Sequence, residues 1–231
     1  MINGSQKKLT KKQFNSLILK AYKSTPAPKS VELARKWTET HGTNGMFMHW
    51  NNMWAKNSQL LSNKKVLDIG ISAGIHNYVA QEVFNTKTII AVDPYKPYHN
   101  IVKSLLPDCK LYNVVDEAPN GVKVDIILLS AVLVLLGKNW KKFLKQIVDT
   151  FKFDHMIIRD AFTFPSQPAE AKSPREYSLV PNFTYTNCPT VKEILKELHS
   201  NQLNVVKQYQ ITSYSLMAGW VFVVDNKQRS L

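Results

Sequence analysis

From Lys65 onward, short runs of β-branched and aliphatic residues alternate with stretches of helical periodicity. This alternation is typical of a parallel sheet whose strands are joined by crossover helices. The run Val124–Ser130 is almost wholly apolar, as expected for a strand covered on both faces. The pattern predicts an α/β, Rossmann-like fold with a mostly parallel seven-stranded sheet and helices on both faces.

The predicted elements follow one another at the spacing that such a sheet requires. The strands are Val66–Asp68, Thr88–Val92, Lys110–Val115, Val124–Ser130, His155–Asp160, Val205–Ile211 and Gly219–Asp225, and the helices are Ile75–Val83, His99–Leu106, Trp140–Phe151 and Val191–His199. Only a short turn separates the last two strands, which predicts a C-terminal antiparallel hairpin. The connection Ala161–Thr190 is longer than most loops in a compact domain, and such loops are functional or disordered.

The first quarter of the chain differs from the rest. Residues 1–60 are predicted to form a basic helical N-terminal extension or lid, and residues 61–231 the main domain. Prolines between residues 25 and 30 should end a first helix, and Ser30 is a plausible N-cap for a second. Residues 46–55 are rich in aromatic side chains and methionine, which favours packing against the main domain over a mobile lid.

The net charge of +13 is concentrated at the N-terminus, where residues 1–65 carry +10. A basic face attracts nucleic acid, acidic lipid or a phosphorylated substrate, and it can equally be a solubilising arm. No apolar run reaches the roughly 20 residues of a membrane-spanning helix, and no signal-peptide pattern opens the sequence. We therefore expect no transmembrane segment and a cytoplasmic location.

The two cysteines, Cys109 and Cys188, lie in no metal-ligand or disulfide pattern. We expect both to be small buried residues, and we expect no metal site.

The segment Val66–His76 turns from an apolar strand through Gly70 and Gly74 into a helix. Glycine suits this turn because the backbone bends sharply and a ligand can approach it without meeting a Cβ atom. Asp93 ends the next strand, a little over twenty residues after the turn begins. A carboxylate in that place can accept hydrogen bonds from both ribose hydroxyls of an adenosine moiety.

These segments resemble the class I S-adenosylmethionine-dependent methyltransferases. Their first four motifs look like residues 66–74, 91–94, 115–119 and 124–133 of this chain, and the resemblance covers residues 64–225. It implies a methyltransferase with S-adenosylmethionine as cofactor. The implied cofactor-binding residues are Asp68, Gly70, Ile71, Ser72, Ala73, Gly74, Asp93, Pro94, Asp116, Glu117 and Ser130.

The resemblance also implies a role for each part of this set. Asp68, Gly70 and Gly74 shape the methionine end, and Asp93 holds the ribose. Asp116 or Glu117 reaches the adenine amino group, and Ser130 lines the floor near the sulfonium. One departure is Ser72, which stands where the family often has a third glycine, so the path of the loop is open. The other is the apolar run after the fourth strand, Val132–Leu136, where many relatives place polar residues.

The chemistry of the cofactor agrees with these residue types. S-adenosylmethionine carries a sulfonium, an ammonium and a carboxylate, but no phosphate. Acidic side chains at strand ends suit its positive groups, and the helix N-terminus after Gly74 suits its carboxylate. The loop lacks the G-x-G-x-x-G spacing that favours a dinucleotide, which argues against a nicotinamide-dependent oxidoreductase.

Methyl transfer depends mainly on alignment of the acceptor, and a general base helps only where the acceptor must lose a proton. The candidates for a catalytic role are Asp160 and His49, with His76 and Arg159 also polar and close to the motifs. Asp160 can equally cap or pair structurally, and both histidines can equally be packing residues.

The acceptor stays open between two classes. A small molecule or glycan beneath the connection Ala161–Thr190 is slightly favoured over RNA or DNA bound through residues 1–65, because no nucleic-acid-binding module occurs. A non-catalytic Rossmann-like binding or scaffold protein is the alternative from another class. The sequence does not indicate an oligomeric state.

Overall fold

The computed structural model describes residues 9–24, 44–163, 171–172, 184–185, 189–213 and 217–226. The helix predicted from Ser30 and most of the connection between residues 164 and 188 lie outside these residues. Among the described residues, no helix is long and apolar enough to cross a membrane.

The helices divide between the N-terminal segment and the crossovers of the sheet. The α-helices are α1 Lys11–Ser24, α2 Asn44–His49, α3 Ser58–Leu61, α4 Ile75–Phe84, α5 Lys96–Leu105, α6 Trp140–Thr150 and α7 Val191–Ser200. Residues Trp50–Trp54 form a π-helical turn after α2, and Ala55–Asn57 a 3₁₀ turn before α3. Two further 3₁₀ segments are Val115–Glu117 and Leu133–Asn139.

Seven strands form the main sheet and two short strands form a separate ribbon. The strands are β1 Lys65–Ile69, β2 Lys87–Val92, β3 Lys110–Tyr112, β4 Ile126–Ser130, β5 His155–Thr163, β6 Ala171–Lys172, β7 Thr184–Tyr185, β8 Leu203–Ser213 and β9 Met217–Asn226. The order of the main sheet is β3-β2-β1-β4-β5-β9-β8, and β6 pairs with β7.

The orientation of the strands confirms the predicted architecture. β1 pairs parallel with β2, and β2 parallel with β3. β9 runs antiparallel to both of its neighbours, β5 and β8. The sheet is therefore mostly parallel, with one antiparallel strand inserted by the C-terminal hairpin.

Several predicted ends were wrong, each for a local reason. The third strand stops at Tyr112, because Val115–Glu117 turns into a 3₁₀ segment. The fifth strand does not end at Asp160 but continues to Thr163, which pairs with Met217. The helix predicted from His99 begins at Lys96, with a proline in its first turn where no amide donor is needed.

The structure divides into two compact units. The first contains residues 1–118 and 124–126, and the second contains residues 119–123 and 127–231. The boundary predicted near residue 60 stays a prediction.

The N-terminal helix α1 is part of the core of the first unit. Phe14, Ile18 and Ala21 lie on one face of α1 and are fully buried. The Phe14 ring packs 5.7 Å from Trp50, which in turn stacks 5.2 Å from Phe84 of α4. These aromatic contacts join α1 and the π-helical turn to the helix that follows the glycine-containing loop. The aromatic segment therefore packs against α1 and α4 within the first unit.

In the second unit, α7 begins with a capping box. The Thr190 side chain accepts a hydrogen bond from the Glu193 backbone, and the Glu193 side chain accepts one from the Thr190 backbone. Ile194 and Leu198 of α7 are buried, and α7 packs on the edge strand β8. This helix fixes the outer edge of the C-terminal hairpin.

Candidate functional site

The loop between β1 and α4 turns through three residues in the left-handed region. The φ angles are +79° at Gly70, +54° at Ser72 and +69° at Gly74. The Gly70 amide donates to the Val92 carbonyl oxygen at 2.7 Å, and the Gly74 amide donates to the Ile71 carbonyl oxygen at 3.1 Å. Ser72 thus adopts a left-handed conformation, although a serine stands where the family often has a glycine.

Asp93 follows the end of β2 and joins this loop directly. Its Oδ2 atom accepts a hydrogen bond from the Ser72 backbone amide at 2.8 Å, and its Oδ1 atom accepts one from the Tyr95 amide at 2.8 Å. The side chain is largely buried, with 7% of the residue exposed. The loop and the acid are therefore in direct contact, whereas Pro94 beside them is exposed.

Asp68 lies in β1, just before the loop, and is also buried. Its Oδ2 atom accepts a hydrogen bond from the Asn77 side chain at 2.8 Å, while its buried Oδ1 atom has no hydrogen-bond partner. Burial raises the pKa of Asp68 to about 7, the Asn77 hydrogen bond opposes the rise, and the charge of Asp93 adds to it. Such a carboxylate favours a cation as its missing partner.

The N-terminus of α4 has no side-chain cap. Gly74 is its N-cap and offers no side-chain hydrogen bond, and the first turn contains no acidic residue. The free amides of a first helical turn carry partial positive charge. This end of the helix follows the loop that Asp93 holds.

The two acidic residues predicted near the adenine differ in their surroundings. Glu117 accepts hydrogen bonds from the Asn113 backbone amide at 2.8 Å and from the Asn113 side chain. These bonds lower the pKa of Glu117 and tie its carboxylate to its own turn. Asp116 lies on the same turn, and both side chains are exposed.

In the second unit, Ser130 ends β4 and is half-buried. The next residue, Ala131, has a φ of +56°, and its amide donates to the Arg159 carbonyl oxygen at 2.8 Å. The buried Asp160 side chain accepts hydrogen bonds at Oδ2 from the Leu133 and Val134 amides, at 2.7 and 3.2 Å. Asp160 therefore holds the backbone of the segment that follows β4.

His49 lies in the aromatic packing of the first unit. Its ring stacks on His76 with centroids 4.6 Å apart, and its Nε2 atom lies 3.3 Å from the Met53 sulfur. His76 Nε2 in turn lies 3.3 Å from the Met46 carbonyl oxygen. The two histidines link α2 to the first turn of α4, which is the packing alternative of the sequence analysis.

Residues that the motifs did not identify support the site. The Asn77 side chain bridges Asp68 and Thr88. Its Nδ2 atom lies 3.1 Å from the Thr88 Oγ1 atom. His99 contacts the Asp93 carbonyl oxygen through Nε2 at 2.7 Å. The signal for Asn77 was present in the sequence, since it is an amide on the otherwise apolar face of a short helix. Among the described residues, no group of three or more His, Cys, Asp or Glu could hold a metal ion.

No family model and no curated protein matches the sequence. Solved structures do match. The cyclase SpnF aligns with a TM-score of 0.58 at 9% identity, over 78% of this chain and 81% of its own. The N-terminal domain of EvdMO1, crystallised with S-adenosylhomocysteine and D-fucose, gives 0.56 at 9% identity, over 74% and 80%. An S-adenosylmethionine-dependent methyltransferase from Methanosarcina mazei gives 0.55 at 12% identity, over 71% and 92%.

At this level of identity the similarity concerns the fold. The chain has the fold of the class I S-adenosylmethionine-dependent methyltransferases. A cyclase stands among these structures, so the fold alone does not determine the reaction.

Proposed function

We propose that the protein binds S-adenosylmethionine and transfers its methyl group to a small-molecule or glycan acceptor. The observation that carries the proposal is the 2.8 Å hydrogen bond between the Ser72 amide and the Asp93 carboxylate. It puts the glycine-containing loop and the acid after β2 in direct contact, which supports the proposal that both contact a single adenosine.

The chain's own groups fit the charges of the methionine end. The buried Asp68 Oδ1 atom lacks a partner, and an ammonium donor would supply one. The uncapped amides at the start of α4 suit a carboxylate. One cofactor would thus supply a donor for the Asp68 oxygen and an acceptor at the uncapped start of α4.

Asp93 and Asp116 are the residues proposed for the nucleoside end. Each Asp93 oxygen accepts one backbone hydrogen bond and keeps a second lone pair for a ribose hydroxyl. Asp116, exposed after β3, is proposed to accept from the adenine amino group. Ser130 is kept as a proposed contact near the reacting centre.

The bound cofactor would supply a methyl group on a sulfonium, which an acceptor lone pair displaces in line. The protein's part is to orient both reactants and exclude water. We assign Asp160 to positioning the backbone after β4, and His49 to packing α2 against α4, because of the contacts each makes. No residue is proposed as a general base.

Two observations favour a small acceptor or glycan. Within the second unit, strand β7 contacts the segment Leu133–Asn139, so part of the long connection lies beside the chain that follows β4. This segment exposes an apolar side chain, Leu135. In addition, a structure with this fold was crystallised with D-fucose and S-adenosylhomocysteine.

Calorimetry with S-adenosylmethionine and S-adenosylhomocysteine tests the cofactor proposal. We expect saturable binding of both, and Asp93→Ala should weaken it more than tenfold, since hydrogen bonds to charged groups contribute about 1.5–3 kcal/mol each. The exposed Asp108 in the turn before β3 is the matched control, and Asp108→Ala should leave the affinity unchanged. No binding at millimolar cofactor would contradict the proposal.

To identify the acceptor class, the protein is incubated with methyl-tritiated cofactor and a cell extract, and the labelled fraction is determined. Label in a small-molecule fraction that resists nuclease and protease would support the proposal. Label lost on nuclease treatment would replace it with the nucleic-acid alternative, whose binding should fall steeply with salt. Cofactor binding without any labelled product would favour the non-catalytic alternative.

A further inference from the structure

We infer that Ser72 is a positioning residue that makes the shape of the glycine-containing loop depend on Asp93. Only the predicted effect on cofactor affinity rests on the proposed function. The contact itself belongs to the protein without ligand.

The conformation of Ser72 is unfavourable for its residue type. Its φ of +54° is left-handed, like those of Gly70 and Gly74 on either side. Glycine adopts this region freely, whereas a Cβ atom clashes with the following carbonyl oxygen. Serine also lacks the special tolerance of asparagine and aspartate for this region. Position 72 is therefore the strained point of the turn.

The contact that holds the Ser72 amide is the carboxylate of Asp93. An N–H group that donates to a carboxylate at 2.8 Å makes a charge-assisted hydrogen bond, which is stronger than a neutral one. The Ser72 side chain is exposed, so packing does not enforce its conformation. The bonds from Gly70 and Gly74 hold the ends of the loop but not its middle.

Tyr98 of α5 is a second neighbour of Ser72. Burial raises the pKa of Tyr98, and an interaction with the Ser72 side chain opposes the rise. The substitution series must therefore separate the hydroxyl of Ser72 from its backbone.

The consequence concerns the ribose part of the site. The same Asp93 carboxylate that fixes Ser72 is proposed to accept the ribose hydroxyls. Weakening this carboxylate should then remove a ligand contact and also release the loop. With glycine at position 72, only the first of these losses should remain.

Hydrogen exchange of the Gly70 and Gly74 amides, whose own acceptors are unchanged in every variant, tests the dependence when it is measured without ligand. We expect Asp93→Asn to accelerate exchange about tenfold or more in the wild-type background, because a local opening is no longer opposed by the carboxylate. In the Ser72→Gly background the acceleration should be less than about threefold, because glycine needs no help to stay left-handed. In the Ser72→Asn background the acceleration caused by Asp93→Asn should lie between these two values. In the Ser72→Val background it should be the largest.

Two controls separate this mechanism from general effects. Asn85 has the same φ of +54° at the C-terminus of α4, and Asn85→Gly should leave the acceleration by Asp93→Asn unchanged. Ser72→Ala keeps the strain but removes the hydroxyl, and should behave as wild type. If exchange of the loop no longer depends on Asp93 in Ser72→Ala, the dependence comes from the contact between the Ser72 hydroxyl and Tyr98. That result would overturn the inference.

Cofactor titration of the same variants distinguishes this inference from the proposed function. The loss of affinity caused by Asp93→Asn should be about tenfold larger with Ser72 than with Ser72→Gly, which corresponds to about 1.4 kcal/mol of coupling. Equal losses, together with equal acceleration of exchange, would overturn the inference while the wild type still binds. Absence of cofactor binding by the wild type would contradict the proposed function. The hydrogen-exchange result would then decide the inference about Ser72.

Discussion

Asp93 and Asp160 are two buried carboxylates, one in each unit, and both hold a backbone turn beside a strand. Asp93 is 7% exposed and Asp160 is 3% exposed. Each accepts hydrogen bonds from two backbone amides. In the sequence both are single aspartates that follow or lie in apolar strands.

They differ in the surroundings of their donors. The donors to Asp160 belong to Leu133 and Val134, which are buried, whereas Ser72 and Tyr95 are exposed. A lost acceptor can be replaced by water near Asp93 but not near Asp160. The same type of contact should therefore serve stability in the second unit and ligand binding in the first.

The largest expected effect is on stability, from Asp160→Ala. This change leaves two buried amides without an acceptor, which should lower the free energy of unfolding by about 2–4 kcal/mol. Asp93→Ala should lower it by less than about 1 kcal/mol, because water can reach its donors. Denaturant unfolding of both variants measures the difference. Equal losses would show that exposure of the donors does not separate the two sites.

The isosteric asparagine variants sharpen the comparison. Both amides at Asp160 donate to one oxygen, so the carbonyl oxygen of Asp160→Asn can accept them both. At Asp93 each oxygen accepts one amide, so Asp93→Asn must turn an NH₂ group towards a donor. We expect Asp160→Asn to recover at least half of the stability lost in Asp160→Ala. Asp93→Asn should recover little of the affinity lost in Asp93→Ala.

Denaturant unfolding and calorimetry on the four variants decide this point. A large loss of stability in Asp160→Asn would mean that the ionised carboxylate, and not only an acceptor oxygen, is required. Full affinity in Asp93→Asn would remove Asp93 from the proposed ribose contacts.

The sequence was sufficient for the fold because its signals were local and periodic. The order of strands and helices, the mostly parallel sheet and the terminal hairpin were confirmed. Strand ends were less predictable, because pairing decides them. β5 extends to Thr163 since β9 supplies a partner as far as Met217, and no local pattern marks that point.

The site was predictable in its residue types but not in its contacts. The pairing of the loop with Asp93 followed from the edge at which parallel strands end. The left-handed conformation of Ser72 did not follow, because serine gives no signal for it. The unpaired Asp68 oxygen was also beyond prediction, since it depends on where Asn77 places its single amide group.

Asp68 extends the comparison, because its carboxylate is buried like the other two but is incompletely paired. Burial raises its pKa from the ordinary value of 3.8 to about 7. Between about pH 4 and pH 7 the folded protein keeps a proton that the unfolded chain has lost. Stability should therefore fall as the pH rises through this range and level off above it.

The proposed cofactor should give the opposite slope in its affinity. An ammonium beside Asp68 favours the ionised carboxylate, so affinity should rise with pH through the pKa of about 7. A single group with that pKa predicts about a tenfold gain between pH 6 and pH 8. Calorimetry in buffers of different ionisation enthalpy should also detect proton release near pH 6.

Asp68→Asn tests whether ionisation of Asp68 is coupled to cofactor binding or whether Asp68 has only a structural role. The variant keeps an acceptor for Asn77 but cannot titrate, so both slopes should vanish while the protein stays folded. If the stability slope vanishes and the affinity slope persists, another group responds to the ammonium. If both slopes persist, the titrating group is not Asp68.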